Sequence, residues 1–178
     1  TAAGIGAGYE GQCGNINIYG GVIESESDEA AIGAGHKAKC GDINIYGGRI
    51  NALSRGGAAG IGAAAYDASE CQNINIYGGD ITAKSNSDGA GIGGGDCGAG
   101  GGVCQDINIY GGNITAISGG RGAGIGGGAH GSCRDINIYG GDITATGGRL
   151  GAGIGCGGYA DIRNILILGG TIVASGGD

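Results

Sequence analysis

The chain has 178 residues, of which 50 are glycine, and it contains no proline, phenylalanine, tryptophan or methionine. That excludes collagen, which needs proline and a strict Gly-X-Y period, and argues against a helical domain, where each interior glycine costs roughly 0.8–1.0 kcal/mol relative to alanine. The net charge of −7, with no basic cluster, argues against nucleic acid as a partner, and no apolar run approaches the roughly 18 residues of a membrane span.

Three short segments recur in fixed order along the whole chain. A GIG or AIG segment carries Ile5, Ile32, Ile61, Ile92, Ile125 and Ile154. The segment INIYGG follows, opening at Ile16, Ile43, Ile74, Ile107 and Ile136, with the variant ILILGG at Ile165. After each double glycine comes a segment of the type x-I-x-A, carrying Ile23, Ile50, Ile81, Ile114, Ile143 and Ile172. Successive INIYGG segments lie 27, 31, 33, 29 and 29 residues apart, short of the roughly 40 residues of a propeller blade.

Each segment alternates apolar residues with polar ones or glycine, the period of a strand with one buried face. The double glycine permits a sharp corner, including positive φ. The predicted fold is all-β, with residues 1–178 forming a single domain. It is a roughly triangular parallel β-solenoid of six coils of 27–33 residues, three short strands per coil. At about 4.8 Å per coil it stands about 29 Å tall.

Stacking identical positions makes three chemically distinct faces. The first carries an asparagine ladder (Asn17, Asn44, Asn75, Asn108, Asn137) beside a tyrosine ladder (Tyr19, Tyr46, Tyr77, Tyr110, Tyr139), ended by Leu166 and Leu168. The second places Thr82, Thr115 and Thr144 beside a mixed column of Arg49, Asp80, Asn113 and Asp142. The third is read as bare backbone, with Gly6, Gly33, Gly62, Gly93, Gly126 and Gly155 pointing outward as a self-packing face.

The cysteines keep the same register. Cys13, Cys40, Cys71, Cys104 and Cys133 each stand three residues before an INIYGG isoleucine, while Cys97 and Cys156 lie outside that column. Stacked cysteines about 4.8 Å apart fall within the Cα range of a disulfide. Bridges between coils would then place the chain in an oxidising compartment, with one of the seven thiols left over. Free buried thiols are the alternative. Zinc is disfavoured because there is no C-x-x-C and neither His36 nor His130 occupies a repeated slot.

Other candidates have plainer readings. The glycine patterns around Gly89, Gly91, Gly94 and Gly122, Gly124, Gly127 match G-x-G-x-x-G, but they recur with no helix following, so they read as structure rather than as a dinucleotide site. Asn15, Asp42, Asn73, Asp106, Asp135 and Asn164 form a column before the INIYGG strand, expected to bond neighbouring backbone. Asp106 above Asp135 stacks like charges, a weak calcium candidate. Asn113-Ile114-Thr115 is a lone glycosylation sequon, read as a chance match. Glu24, Glu26, Asp28 and Glu29 form an acidic patch without a basic partner, and the loops at 24–30 and 94–104 depart most from the repeat. Neither holds a nucleophile with its base, so no enzyme activity and no cofactor are expected.

The alternation of GAGIGGG with INIYGG-x-ITA resembles the Gly-rich β-helical repeats of secreted and surface-anchored bacterial proteins. Some of these bind carbohydrate, and they are similar in fold to pectate lyases. The resemblance implies fold and an extracellular or cell-surface location; the pectate-lyase Asp cluster has no counterpart in this chain.

The ends bear on partners. Joining Asp178 to Thr1 would set Ile172 eleven residues before the next GIG isoleucine, the same count as Ile50 to Ile61 and Ile143 to Ile154. With no polar cap visible, the chain is either a slice of a longer array or a protomer that stacks head to tail. The expected function is therefore an extracellular structural solenoid that assembles end to end and packs laterally into a fibre or surface layer. The alternative is a non-catalytic polysaccharide-binding module using Asn44, Tyr46, Asn75, Tyr77, Asn108, Tyr110, Asn137 and Tyr139. Ice binding by the threonine column stands third, since only three coils carry it.

Overall fold

The computed structural model describes residues 1–65, 69–96 and 101–178. Among them the chain forms a triangular parallel β-solenoid of about six turns with three parallel sheets. The first sheet stacks six two-residue strands, from Ile5–Gly6 to Ile154–Gly155, in chain order. The third stacks Val22–Ser27, Arg49–Ser54, Asp80–Ser85, Asn113–Ser118, Asp142–Thr146 and Thr171–Ser175, also in chain order. The second carries the INIYGG strands, each with the cysteine just before it. These are separate short strands in the early coils and one continuous strand at Val103–Ile109 and Cys133–Ile138.

Register follows the repeat without slippage. Ile74 pairs with Ile43 and Ile107, Ile81 with Ile50 and Ile114, and Ile61 with Ile32 and Ile92. A slip of one residue would turn every isoleucine out of the core, so the period-two pattern fixes the stacking. The isoleucines of all three sheets, with Ala52, Ala83, Ala116 and Ala145, form one continuous core. Each fully buried isoleucine contributes about 1.5–3 kcal/mol relative to leaving it exposed.

Two glycine columns turn the chain. The second glycine of each YGG or LGG, such as Gly79 at φ 108°, makes the corner between the second and third sheets. The glycine of each first-sheet strand makes the other, with φ between 131° and 143° across all six coils.

That second column corrects the expected bare outer face. Gly33, Gly62, Gly93, Gly126 and Gly155 are buried. The positive φ bends the chain at each glycine, so the N–H of Ala59 donates to the carbonyl of Ala63 (3.0 Å), and that of Ala90 to Gly94 (2.9 Å). The segments entering and leaving the strand thereby close together. A Cβ on Gly62 would run into the carbonyl oxygen of Gly93 in the next coil, and the same collision recurs up the column. These glycines are a requirement of the corner and not a surface for lateral packing.

Candidate functional site

The asparagine ladder is a continuous chain of amides. Each Nδ2 donates to the Oδ1 one coil earlier: Asn44 to Asn17 (2.9 Å), Asn75 to Asn44 (2.8 Å), Asn108 to Asn75 (2.9 Å) and Asn137 to Asn108 (3.0 Å). Beside it Tyr19, Tyr46, Tyr77, Tyr110 and Tyr139 stack with centroids 4.8–4.9 Å apart and planes within 6°. Both spacings follow from the in-register sheet beneath. The interior tyrosines keep 41–44 % of their surface exposed, but the ring faces cover one another. What this flank offers a ligand is a row of phenol edges and hydroxyls, one per coil. Burial, and then the neighbouring Tyr139 and Tyr77, raise the pKa of Tyr110.

The column before these strands behaves as expected in its first coils. Asn15 Oδ1 accepts from the backbone N–H of Asp42 (2.9 Å), and Asp42 Oδ1 accepts from the N–H of Asn73 (3.1 Å). Asp106 and Asp135 are register neighbours. Asp135 accepts from Asn164 Nδ2 at 2.9 Å, whereas Asp106 Oδ1 is buried without a partner. Among the described residues no group of three His, Cys, Asp or Glu side chains is placed to hold a metal ion.

The cysteines stack in register, Cys13 through Cys133, but Cys13, Cys40, Cys71, Cys104, Cys133 and Cys156 are all free thiols. This corrects the expected disulfide rungs, and the oxidising compartment inferred from them loses that support; Cys97 lies outside the described residues. The reason is directional. A disulfide needs Cβ atoms about 3.5–4.5 Å apart and aimed at each other, while in-register neighbours project parallel Cβ vectors at about the 4.7–4.9 Å strand spacing. Two of the thiols turn to the glycine corner, Cys71 Sγ donating to the carbonyl of Gly62 (2.9 Å) and Cys133 Sγ to that of Gly126 (3.1 Å), while Cys13 and Cys104 donate to the carbonyls of Gly14 and Gln72. The Cys71 and Cys133 sulfurs pack beside glycines that carry no side chain.

Burial pushes the Cys71 thiol well up, helped by Cys40; for Cys104 the contact with Cys133 leads and burial adds to it. A thiolate is the nucleophile, so reactivity divides by position. Alkylation of the native protein with iodoacetamide, followed by peptide mapping, is expected to label the half-buried Cys13 and Cys156. Cys71 and Cys104 should be modified only after unfolding; rapid native labelling of those two would contradict the packing.

A serine column was missed from sequence. Ser54, Ser85 and Ser118 are buried at the end of the third sheet; Ser54 Oγ donates to the carbonyl of Gly56 in its own following turn, while Ser85 and Ser118 donate to turn carbonyls one coil earlier, Ser85 to Gly56 and Ser118 to Gly89 at 2.8 Å. The signal was a serine four residues beyond the third-sheet isoleucine in four coils, at Ser27, Ser54, Ser85 and Ser118.

The family described as Beta helix repeat matches residues 16–36, 43–65, 74–96, 107–129 and 136–158, together more than half of the chain. The chain belongs to the β-helix repeat family. Each matched β-helix repeat opens on the first isoleucine of an INIYGG strand and closes four residues beyond the first-sheet isoleucine. It thus spans the ladder strand, the third-sheet strand and the glycine corner. The family describes architecture. No curated protein and no solved structure matches the chain.

Proposed function

We propose that this chain is a structural protomer of an extracellular assembly that grows by stacking β-solenoids end to end. The observation that carries this reading is where unsatisfied surface lies. On the flanks, amides bond amides, rings cover rings and the glycine column is buried from Gly33 onward. At the sixth coil, Ile165, Leu166, Ile167, Leu168 and Val173 are 43–65 % exposed, and the strands Asn164–Ile167 and Thr171–Ser175 each have one unpaired edge among the described residues. At the first coil, Tyr19 and Val22 are 76 % and 75 % exposed. A second copy set one coil step beyond the sixth would continue all three sheets, placing its Tyr19 over Leu168 and its Ile23 over Ile172. Open strand edges of this kind template pairing with another chain. The extracellular setting rests on the resemblance of the GAGIGGG and INIYGG segments to surface repeats.

The polysaccharide reading has less behind it. Sugar rings stack on aromatic faces, and here neighbouring tyrosines occupy those faces, so only a row of hydroxyls remains.

The assembly reading is tested by Ile167→Lys. Ile167 is 49 % exposed, so the substitution spares the folded coil but sets a charge against the next copy's core. In sedimentation velocity the unmodified chain should form larger species as concentration rises, while Ile167→Lys stays at 16.8 kDa. Equal assembly by both, or none by either, contradicts the reading.

A further inference from the structure

End-to-end stacking makes no use of the cysteine column. Cys13, Cys40, Cys71, Cys104 and Cys133 are paired in register from each coil to the next. The geometry that forbids a disulfide there suits a different bridge. A zinc–thiolate bond is roughly 2.3 Å, and thiolate bonds to other first-row d10 ions are of similar length, so two of them in line span about 4.6 Å. Neighbouring strands hold paired residues about 4.7–4.9 Å apart. One ion between two stacked sulfurs therefore requires little movement of the backbone.

The straightness of the column also sets the number of ligands. Each cysteine has other cysteines only above and below it, and among the described residues no three His, Cys, Asp or Glu side chains gather about one point. A tetrahedral zinc site needs four ligands. What a column supplies is two thiolates in line, the arrangement taken by soft d10 ions such as copper(I), for which thiolate is a preferred ligand.

Position then selects the pair. The thiols of Cys71 and Cys13 both act on that of Cys40. The strand Gln12–Cys13 lies at the edge of the second sheet, and Cys13 is half-buried where Cys40, Cys71, Cys104 and Cys133 are buried. A copper(I) ion with two thiolates carries one net negative charge, which is costly to bury. Only at the Cys13 end of the column does solvent reach the sulfur to offset that cost.

We propose that Cys13 and Cys40 together bind one soft d10 cation of the copper(I) class in linear two-coordination. Each thiol gives up its proton as it binds, so one cation replaces two protons and no electron moves. Both ligands belong to one chain, so the site stands whether or not protomers stack.

The reduced full chain, titrated anaerobically with copper(I) held by bicinchoninate, is expected to withdraw one equivalent. X-ray absorption at the copper edge should show two sulfur ligands in line, and added zinc should not displace the copper. Iodoacetamide mapping gives a second readout: copper should protect Cys13 and leave Cys156, half-buried but outside the column, as reactive as before. Cys13→Ser should lose the copper with its circular dichroism unchanged. The double variant Cys97→Ser/Cys156→Ser keeps the column intact and should bind like the parent. No withdrawal of copper, three or more ligands at the metal, displacement by zinc, no protection of Cys13, undiminished binding by Cys13→Ser, or loss of binding in the double variant would overturn the proposal.

Discussion

Replacing Gly62 by alanine is expected to destabilise the solenoid by about 4 kcal/mol, enough to unfold a domain of this size under mild denaturant. Two effects combine. The φ of 137° lies in a region essentially reserved for glycine, costing a side-chain-bearing residue about 1–3 kcal/mol. The new methyl group would also meet the carbonyl oxygen of Gly93 in the next coil, which the stacked sheet cannot move aside; overpacking of this kind adds about 1–3 kcal/mol. Gly47→Ala is the control. A Cβ there meets nothing nearer than the Tyr19 carbonyl oxygen at 3.5 Å, so the change should stay within about 1 kcal/mol. Urea unfolding of the pair checks the corner, and equal midpoints would contradict it.

The second large effect is in the isoleucine column. Ile107→Ala removes a side chain with no exposed surface in the middle of the stack and should cost about 3–4 kcal/mol, transfer and cavity terms together. Ile165 holds the same position in the last coil but is 47 % exposed, so Ile165→Ala should cost about 1 kcal/mol or less in the isolated protomer. The contrast follows from a structure in which each coil is stabilised by its neighbours. It also links stability to assembly, because a copy stacked on the sixth coil would bury Ile165 and bring its loss closer to that of Ile107. Thermal unfolding of both variants, at low and high protein concentration, reads out the two effects.

Much of the fold is legible in the sequence because the isoleucines mark three strands in every coil and the corner glycines mark the turns. The ladders on the first flank follow directly, since Asn75 and Tyr77 must stand over Asn44 and Tyr46 once Ile74 stands over Ile43. The failures have specific causes. Alternation places Gly62 opposite Ile61 only if the backbone stays extended, and a φ of 137° breaks that premise. The cysteine spacing reports how far apart the thiols sit and says nothing of where their Cβ vectors point, which is what forbids the rungs.

Electron microscopy of the protein as isolated tests the central claim most directly. Stacking through the ends predicts unbranched filaments with an axial subunit repeat near 29 Å, six coils at about 4.8 Å each, lost in Ile167→Lys. Discrete short rods at every concentration, from a chain that is folded by circular dichroism, would contradict it.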